Sequence, residues 1–187
     1  LINVNYNNNA YRISDETLHF NGESTLISLQ NGGGKSVLVQ MLTAPFVHPK
    51  YRNTKDRLFE SYFTTNKPSF ILVEWALDQG AGYVLTGLMV RKSQDMEEDR
   101  KENLDIIGIV SEYQSPCIQD IHHLPVVEKG KKEMILKNFN SCRQLFEIYK
   151  KDRDMKFFYY DLTNYAQSRQ YFNKLMEYQI NYKEWET

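Results

Sequence analysis

"LISLQNGGGKSVLVQML", residues 26–42, places three consecutive glycines and a Lys-Ser pair between two apolar runs of different period. A chain of phosphates is held by several backbone N–H groups converging on one point. The residues there must be free to take unusual dihedrals and must carry no side chain in the way. Gly32, Gly33 and Gly34 meet both needs. After them Val37, Leu38, Met41 and Leu42 recur at helical spacing, with Val39 filling much of the remaining circumference, which predicts a helix buried on most sides and ended by Pro45. Such a helix directs its positive end and its free first-turn N–H groups at the same anion.

In this frame Lys35 is placed to bridge the β- and γ-phosphates of ATP, and the Ser36 hydroxyl to complete the coordination of Mg²⁺. Asn31, Gly32, Gly33, Gly34, Lys35, Ser36 and Val37 form the expected nucleotide-binding set, with Ser36 also the metal ligand. The fingerprint GxxxxGK[ST] is met except at its first glycine, where Leu29 stands, at the point where a strand should bend into the loop. A glycine-rich turn before a buried helix is the competing reading. A plain turn, however, has no use for Lys-Ser directly ahead of a helix.

Outward from this stretch, "LINVNY", "YRI", "ETLHF" and "STLISL" read as short antiparallel strands, broken by Asn7 to Asn9 and by the Asn21-Gly22 dipeptide. A short helix is expected from Thr54 to Phe63. "FILVEWALDQGAGYVLTGLMV" is the clearest hairpin: Ile71, Val73, Trp75 and Leu77 share one apolar face, and Gly80-Ala81-Gly82 supplies the turn. "SQDMEEDRKEN" reads as a charged surface loop, "LDIIGIV" as a strand, and Gln114 to Leu136 as an irregular insertion. Phe139, Cys142, Leu145, Phe146 and Tyr149 form a helical stripe, "KFFYY" a buried strand, and Tyr165 to Tyr178 a helix with Asn164 and Gln167 in capping-box positions.

Composition narrows the function classes. With 41% hydrophobic and 13% aromatic residues in 187, the chain can bury enough apolar surface to fold, and disorder is excluded. The net charge of -1 gives no overall reason to expect a nucleic-acid or membrane surface. No apolar run approaches the ~18 residues of a membrane span. Cys117 and Cys142 read as two reduced thiols rather than a disulfide framework, and His122-His123 lacks partners at metal-ligand spacing. Lys129, Lys131 and Lys132 suit a solvated loop or a DNA contact.

A hydrolysing P-loop protein also needs an acid at the end of a neighbouring strand. Glu74 falls mid-strand and reads as an exposed or paired carboxylate. Asp161 falls at a strand end, where it either holds Mg²⁺ or begins the cap of the next helix.

"LISLQNGGGKS" after short antiparallel strands, then the "FILVEWALD" and "YVLTGLMVRK" hairpin, then "YFNKLMEYQINYKEW" running out of the chain, together resemble the amino-terminal half of the ATPase head of SMC-like proteins of the MukB and JetC branch. The resemblance implies an α/β P-loop NTPase fold of ABC/SMC head type, with an antiparallel β lobe plus a core sheet flanked by helices. It implies that residues 1–187 are one incomplete half-head, with a coiled coil beginning near or after its end. It implies ATP and Mg²⁺ as cofactors, and the signature and acidic-strand motifs supplied by the carboxy-terminal half of the same head. The implied partners are a second head across sandwiched ATP, DNA, and accessory subunits. The implied setting is the bacterial cytoplasm at the nucleoid, with ATP hydrolysis driving chromosome segregation, DNA organisation or defence against plasmids. By the same resemblance Arg52 or Arg57 would approach the γ-phosphate and Gln114 would serve as the Q-loop glutamine. Two other readings remain at this level: a self-contained NTPase or kinase using Asp161 for Mg²⁺, and a P-loop fold kept as a DNA- or partner-binding scaffold.

Overall fold

The computed structural model describes residues 1–6, 10–30, 32–65, 67–93, 103–114, 127–129, 134–136 and 156–180. The expectations for Cys117, His122-His123, Lys131, Lys132, the loop after Ser93 and the stripe from Phe139 to Tyr149 lie outside these residues. The fold is mixed α/β. Strands β1 (Ile2–Tyr6), β2 (Tyr11–Asp15), β3 (Ser69–Ala76), β4 (Tyr83–Lys92), β5 (Leu104–Tyr113) and β8 (Phe157–Asp161) form a single sheet in the order β2-β1-β3-β4-β5-β8. Every neighbouring pair is antiparallel. β6 (Val127–Lys129) and β7 (Met134–Leu136) pair separately. Among the described residues the helices are α1 (Lys35–Thr43) and α2 (Tyr165–Glu177).

β4 is central, and alternation sends its side chains to two faces. Val84, Leu88 and Val90 join Ile71 of β3 and Ile106 and Val110 of β5 on the face that receives α1 and α2. Leu85 and Met89 join Phe70, Ile107 and Ile109 on the other. The apolar face expected of Ile71, Val73, Trp75 and Leu77 is present, with Trp75 edge-on to Phe46 at 5.3 Å between centroids and its Nε1 donating to Thr86 Oγ1 at 2.9 Å.

α2 is tied down by Tyr171. Its ring lies so close to Gly108 that a Cβ there would sit 2.6 Å from Cδ2, and its hydroxyl donates to the Pro45 carbonyl at 3.0 Å. At the other end of the helix the Tyr178 hydroxyl donates to Glu112 on β5. The Glu112 carboxylate also pairs with Lys156 at 3.1 Å and Lys174 at 3.9 Å. Burial pushes the Glu112 carboxyl up, but the Tyr178 hydrogen bond and the two lysines outweigh it and hold it below the ordinary value of 4.5.

Several expectations are corrected. Six of the described strands make one antiparallel sheet, and β6 and β7 form a separate pair. "ETLHF" and "STLISL" are not strands: the Asn21-Gly22 turn forms, with φ of 52° and 72° and Glu23 N–H donating to the Phe20 carbonyl at 2.9 Å, yet its arms join no ladder among the described residues. Period-2 patterning proposes a strand, but a strand exists only where a neighbour accepts its N–H groups. Leu26 is accordingly 93% exposed. The helix expected from Thr54 to Phe63 is reduced to one 3-10 turn, Phe59–Tyr62. Upstream of it Thr54 and Arg57 close on each other, and Asn53 Oδ1 takes the Phe59 N–H at 2.7 Å, side-chain competition that helix interiors tolerate poorly.

α1 is buried on one side only, through Val37, Gln40 and Met41, while Val39 is 62% exposed, because the helix rests on a single sheet face. The β3–β4 turn does use the expected Gly80 and Gly82, at φ 72° and 107°, with Gln79 also left-handed at 56°. β8 is an edge strand, half-exposed along much of its length rather than buried.

Two predictions follow from this packing. Gly108→Val drives a side chain into the Tyr171 ring and is expected to cost about 1–3 kcal/mol, read as a lowered urea midpoint at unchanged slope. Because the Glu112 carboxyl sits below its ordinary value in the folded chain, its stabilisation is present above pH 4.5 and is lost as pH falls through the depressed folded value. Wild type should therefore lose stability faster than Glu112→Gln on acidification through that window, measured by urea unfolding at successive pH values.

Candidate functional site

The glycine turn stands at the amino end of α1, beside the end of β1. Gly32 and Gly34 are both left-handed, at φ 82° and 85°, on either side of Gly33. Gly33 N–H donates to the Gln30 carbonyl at 2.9 Å and closes the turn; a Cβ on Gly33 would stand 2.9 Å from that same oxygen. The first helical bond is Leu38 N–H to the Gly34 carbonyl at 2.9 Å, so the amides of Lys35, Ser36 and Val37 precede the ladder. Gly34 occupies the N-cap position, which has no side-chain cap, and the first turn has no acidic residue. The positive end of the helix is thus offered outward. Gly32, Gly33, Lys35 and Ser36 are exposed; Val37 turns its side chain into the core and can contribute only its amide. Asn31 lies outside the described residues.

Tyr6 was not singled out in the sequence, yet it walls this turn. Its ring lies 3.5 Å from where a Gly34 Cβ would be, and it stacks on Tyr11 at 5.4 Å between centroids. The signal available was its place at the end of an alternating strand immediately before the Asn7 to Asn9 break.

The remaining candidates are distributed elsewhere. Arg52 is 2% exposed, its Nε donating to the Ala44 carbonyl at 3.1 Å, and in this arrangement it braces the tail of α1 from inside. Arg57 is exposed in the turn it closes with Thr54. Gln114 lies beside Gly82, at the sheet end opposite the one where β1 finishes. Glu74 is exposed and paired, accepting the Tyr113 hydroxyl at 2.5 Å.

Asp161 ends β8, and its Oδ1 accepts from Thr163 N and Oγ1 at 3.1 and 2.6 Å. Asn164 caps α2 by accepting the Gln167 N–H at 3.1 Å, and the Gln167 side chain reaches back to the Asp161 N–H at 2.9 Å rather than to the cap residue. β8 is separated from β1 by β3, β4 and β5. At ~4.8 Å per strand this puts Asp161 roughly 19 Å across the sheet from β1, the strand whose end lies beside the glycine turn. Asp161 thus closes the turn ahead of α2, whose cap is Asn164. Among the described residues no cluster of three or more His, Cys, Asp or Glu side chains has metal-binding geometry, and no helix is long and apolar enough to cross a membrane.

No protein-family model matches the chain, and no curated protein or solved structure matches it.

What the arrangement can do chemically is bind an anion. Free first-turn amides, the positive helix end and an exposed Lys35 lie at this turn, and the two left-handed glycines hold it. Gly34→Ala should cost about 1–2 kcal/mol from the left-handed backbone alone, read as a lower midpoint in chemical unfolding.

Proposed function

We propose that the chain is the amino-terminal, ATP-binding half of an SMC-like ATPase head with a P-loop. The observation that carries this reading is the left-handed pair Gly32 and Gly34 feeding an uncapped helix end, with Lys35 and Ser36 exposed beside it. The amides from Gly32 to Val37 would hold the phosphates, Lys35 would bridge them, and the Ser36 hydroxyl would hold Mg²⁺. Magnesium, when bound, neutralises charge on the phosphate oxygens. The chain itself supplies binding and orientation.

In this reading the carboxy-terminal half of the head brings the signature and acidic strand. A second head closes on the nucleotide. The whole protein would use hydrolysis to act on DNA in the bacterial cytoplasm, at the nucleoid, with accessory subunits, in chromosome segregation, DNA organisation or plasmid defence.

Calorimetric titration with ATP and Mg²⁺ tests the reading. Wild type is expected to bind with little turnover, Lys35→Ala to weaken binding by tenfold or more, about 1.4 kcal/mol, and Asp161→Ala to leave it unchanged. A folded wild-type chain that gives no heat at millimolar ATP, about the weakest affinity such a site would have, would refute it.

A further inference from the structure

We propose that Asn3 is a positioning residue of the glycine turn: its left-handed backbone turns β1 over, and this brings Tyr6 against Gly34. "LINVNY" alternates apolar and polar residues, so a regular strand would send Ile2, Val4 and Tyr6 to one face. The strand does otherwise. Ile2 packs with Phe70 and Ile107 on the sheet face away from α1, whereas Val4 packs with Val37 and Met41 on the face that carries α1, and Tyr6 lies against that same cluster. Between Ile2 and Val4 stands Asn3, at φ 55°. The pairing of β1 with β2 keeps one register from Ile2 opposite Asp15 to Tyr6 opposite Tyr11, so no residue is inserted and the exchange of faces takes place at Asn3 itself.

Asparagine is the side-chain-bearing residue that visits this conformation most readily, and here its surroundings hold it there. The Ser69 hydroxyl donates to the Asn3 carbonyl at 2.6 Å, and Asn3 Nδ2 donates to Thr65 Oγ1 at 2.9 Å and to the Lys67 carbonyl at 3.2 Å. Two residues on, Asn5 Nδ2 donates to Thr64 Oγ1 at 3.0 Å. Asn3 and Asn5 are both buried, so water does not compete for these bonds. A left-handed residue persists inside a strand only where its neighbours over-determine it, and such strain is kept where a site depends on it. What this one delivers is the Tyr6 ring, 3.5 Å from where a Gly34 Cβ would be, against a residue itself left-handed at φ 85°. The ring narrows the conformations open to Gly34 before a ligand arrives. Less ordering then remains to be done on binding.

The effect on ATP rests on the nucleotide reading of the turn; the contact between Tyr6 and Gly34 does not, so the two can fail separately. The test pairs Asn3→Gly with Asn3→Ala, since both remove the amide ties and only glycine keeps the left-handed backbone without steric cost. For each chain the nuclear Overhauser contact between the Tyr6 ring and the Gly34 α protons is measured, together with calorimetric titration of ATP and Mg²⁺ and a urea midpoint. Asn3→Gly should keep the contact and the wild-type affinity. Asn3→Ala should lose the contact and bind ATP about fivefold more weakly, the weight that a left-handed residue with an ordinary side chain forfeits. Tyr6→Ala should weaken binding alike, and Asn3→Ala/Tyr6→Ala should be no weaker than Tyr6→Ala, because Asn3 acts through the ring. The same pattern of contacts, without heat from any chain, upholds the device and removes the nucleotide reading. An Asn3→Ala chain with a lowered urea midpoint but an intact contact and unchanged ATP affinity overturns the proposal, as do additive losses in the double variant. Should Asn3→Ala not fold, loss of the contact in folded Asn3→Gly, or full ATP affinity in Tyr6→Ala, overturns it instead.

Discussion

The orientation of α1, and with it the aim of the glycine turn, depends on the buried side chain of Gln40. Nine residues are too few for a helix to persist in water by itself, so tertiary contacts must fix it. Both ends of the Gln40 amide are used: Nε2 donates to the Arg52 carbonyl and Oε1 accepts the Tyr62 hydroxyl, each at 2.6 Å. Any apolar substitute would strand a carbonyl and a hydroxyl in the interior, at about 1–3 kcal/mol each. Because Gly34 is one residue ahead of the helix, a rotation of α1 about its axis would swing the free amides away from the turn. The polar pin therefore serves the site as well as the core.

A second tie works across the length of the chain. Tyr171 on α2 reaches the Pro45 carbonyl just beyond α1, and its ring fills the space left by Gly108 on β5. The two helices are thereby joined through the segment after α1 as well as through the sheet face they share. Full burial of the Tyr171 hydroxyl raises its pKa well above the ordinary value of 10.0, so the donor remains protonated in any ordinary buffer.

The β3–β4 hairpin, the β5 strand, the glycine turn with its helix, and the Asn164 cap were legible in the sequence because each is decided by local patterning and local side-chain chemistry. What was not legible depended on neighbours. Arg52 read as a surface or phosphate-directed charge because nothing local announces that its guanidinium folds back on Ala44. Thr54 to Phe63 has apolar side chains at helical spacing, yet Asn53 and Thr54 satisfy backbone groups in a way that favours turns. Val39 read as buried because its spacing says only that it is apolar, not that the sheet covers one side of the helix. The wall of Tyr6 against Gly34 joins residues whose proximity is set by β1 ending where α1 begins.

The arms from Glu16 to Gln30, which join no ladder among the described residues, show the same distinction most sharply. Reciprocal hydrogen bonds between Leu1 and Glu16 fasten their base, and the turn at Asn21-Gly22 is formed, so propensity has done its part. Burial of a leucine side chain yields about 1.5–3 kcal/mol, and Leu26 leaves nearly all of it unrealised. What these residues do not join, among the described residues, is a strand ladder. This reaches the candidate site directly, because the Gln30 carbonyl that closes the glycine turn through Gly33 sits at the end of the same arm. A ladder formed along Thr25 to Leu29 would fix the position of that carbonyl and stiffen the turn from its entrance, just as Gln40 stiffens it from its exit. On the proposed reading, strand pairing along this arm and phosphate binding at the turn would be coupled, since each would order the segment on which the other depends.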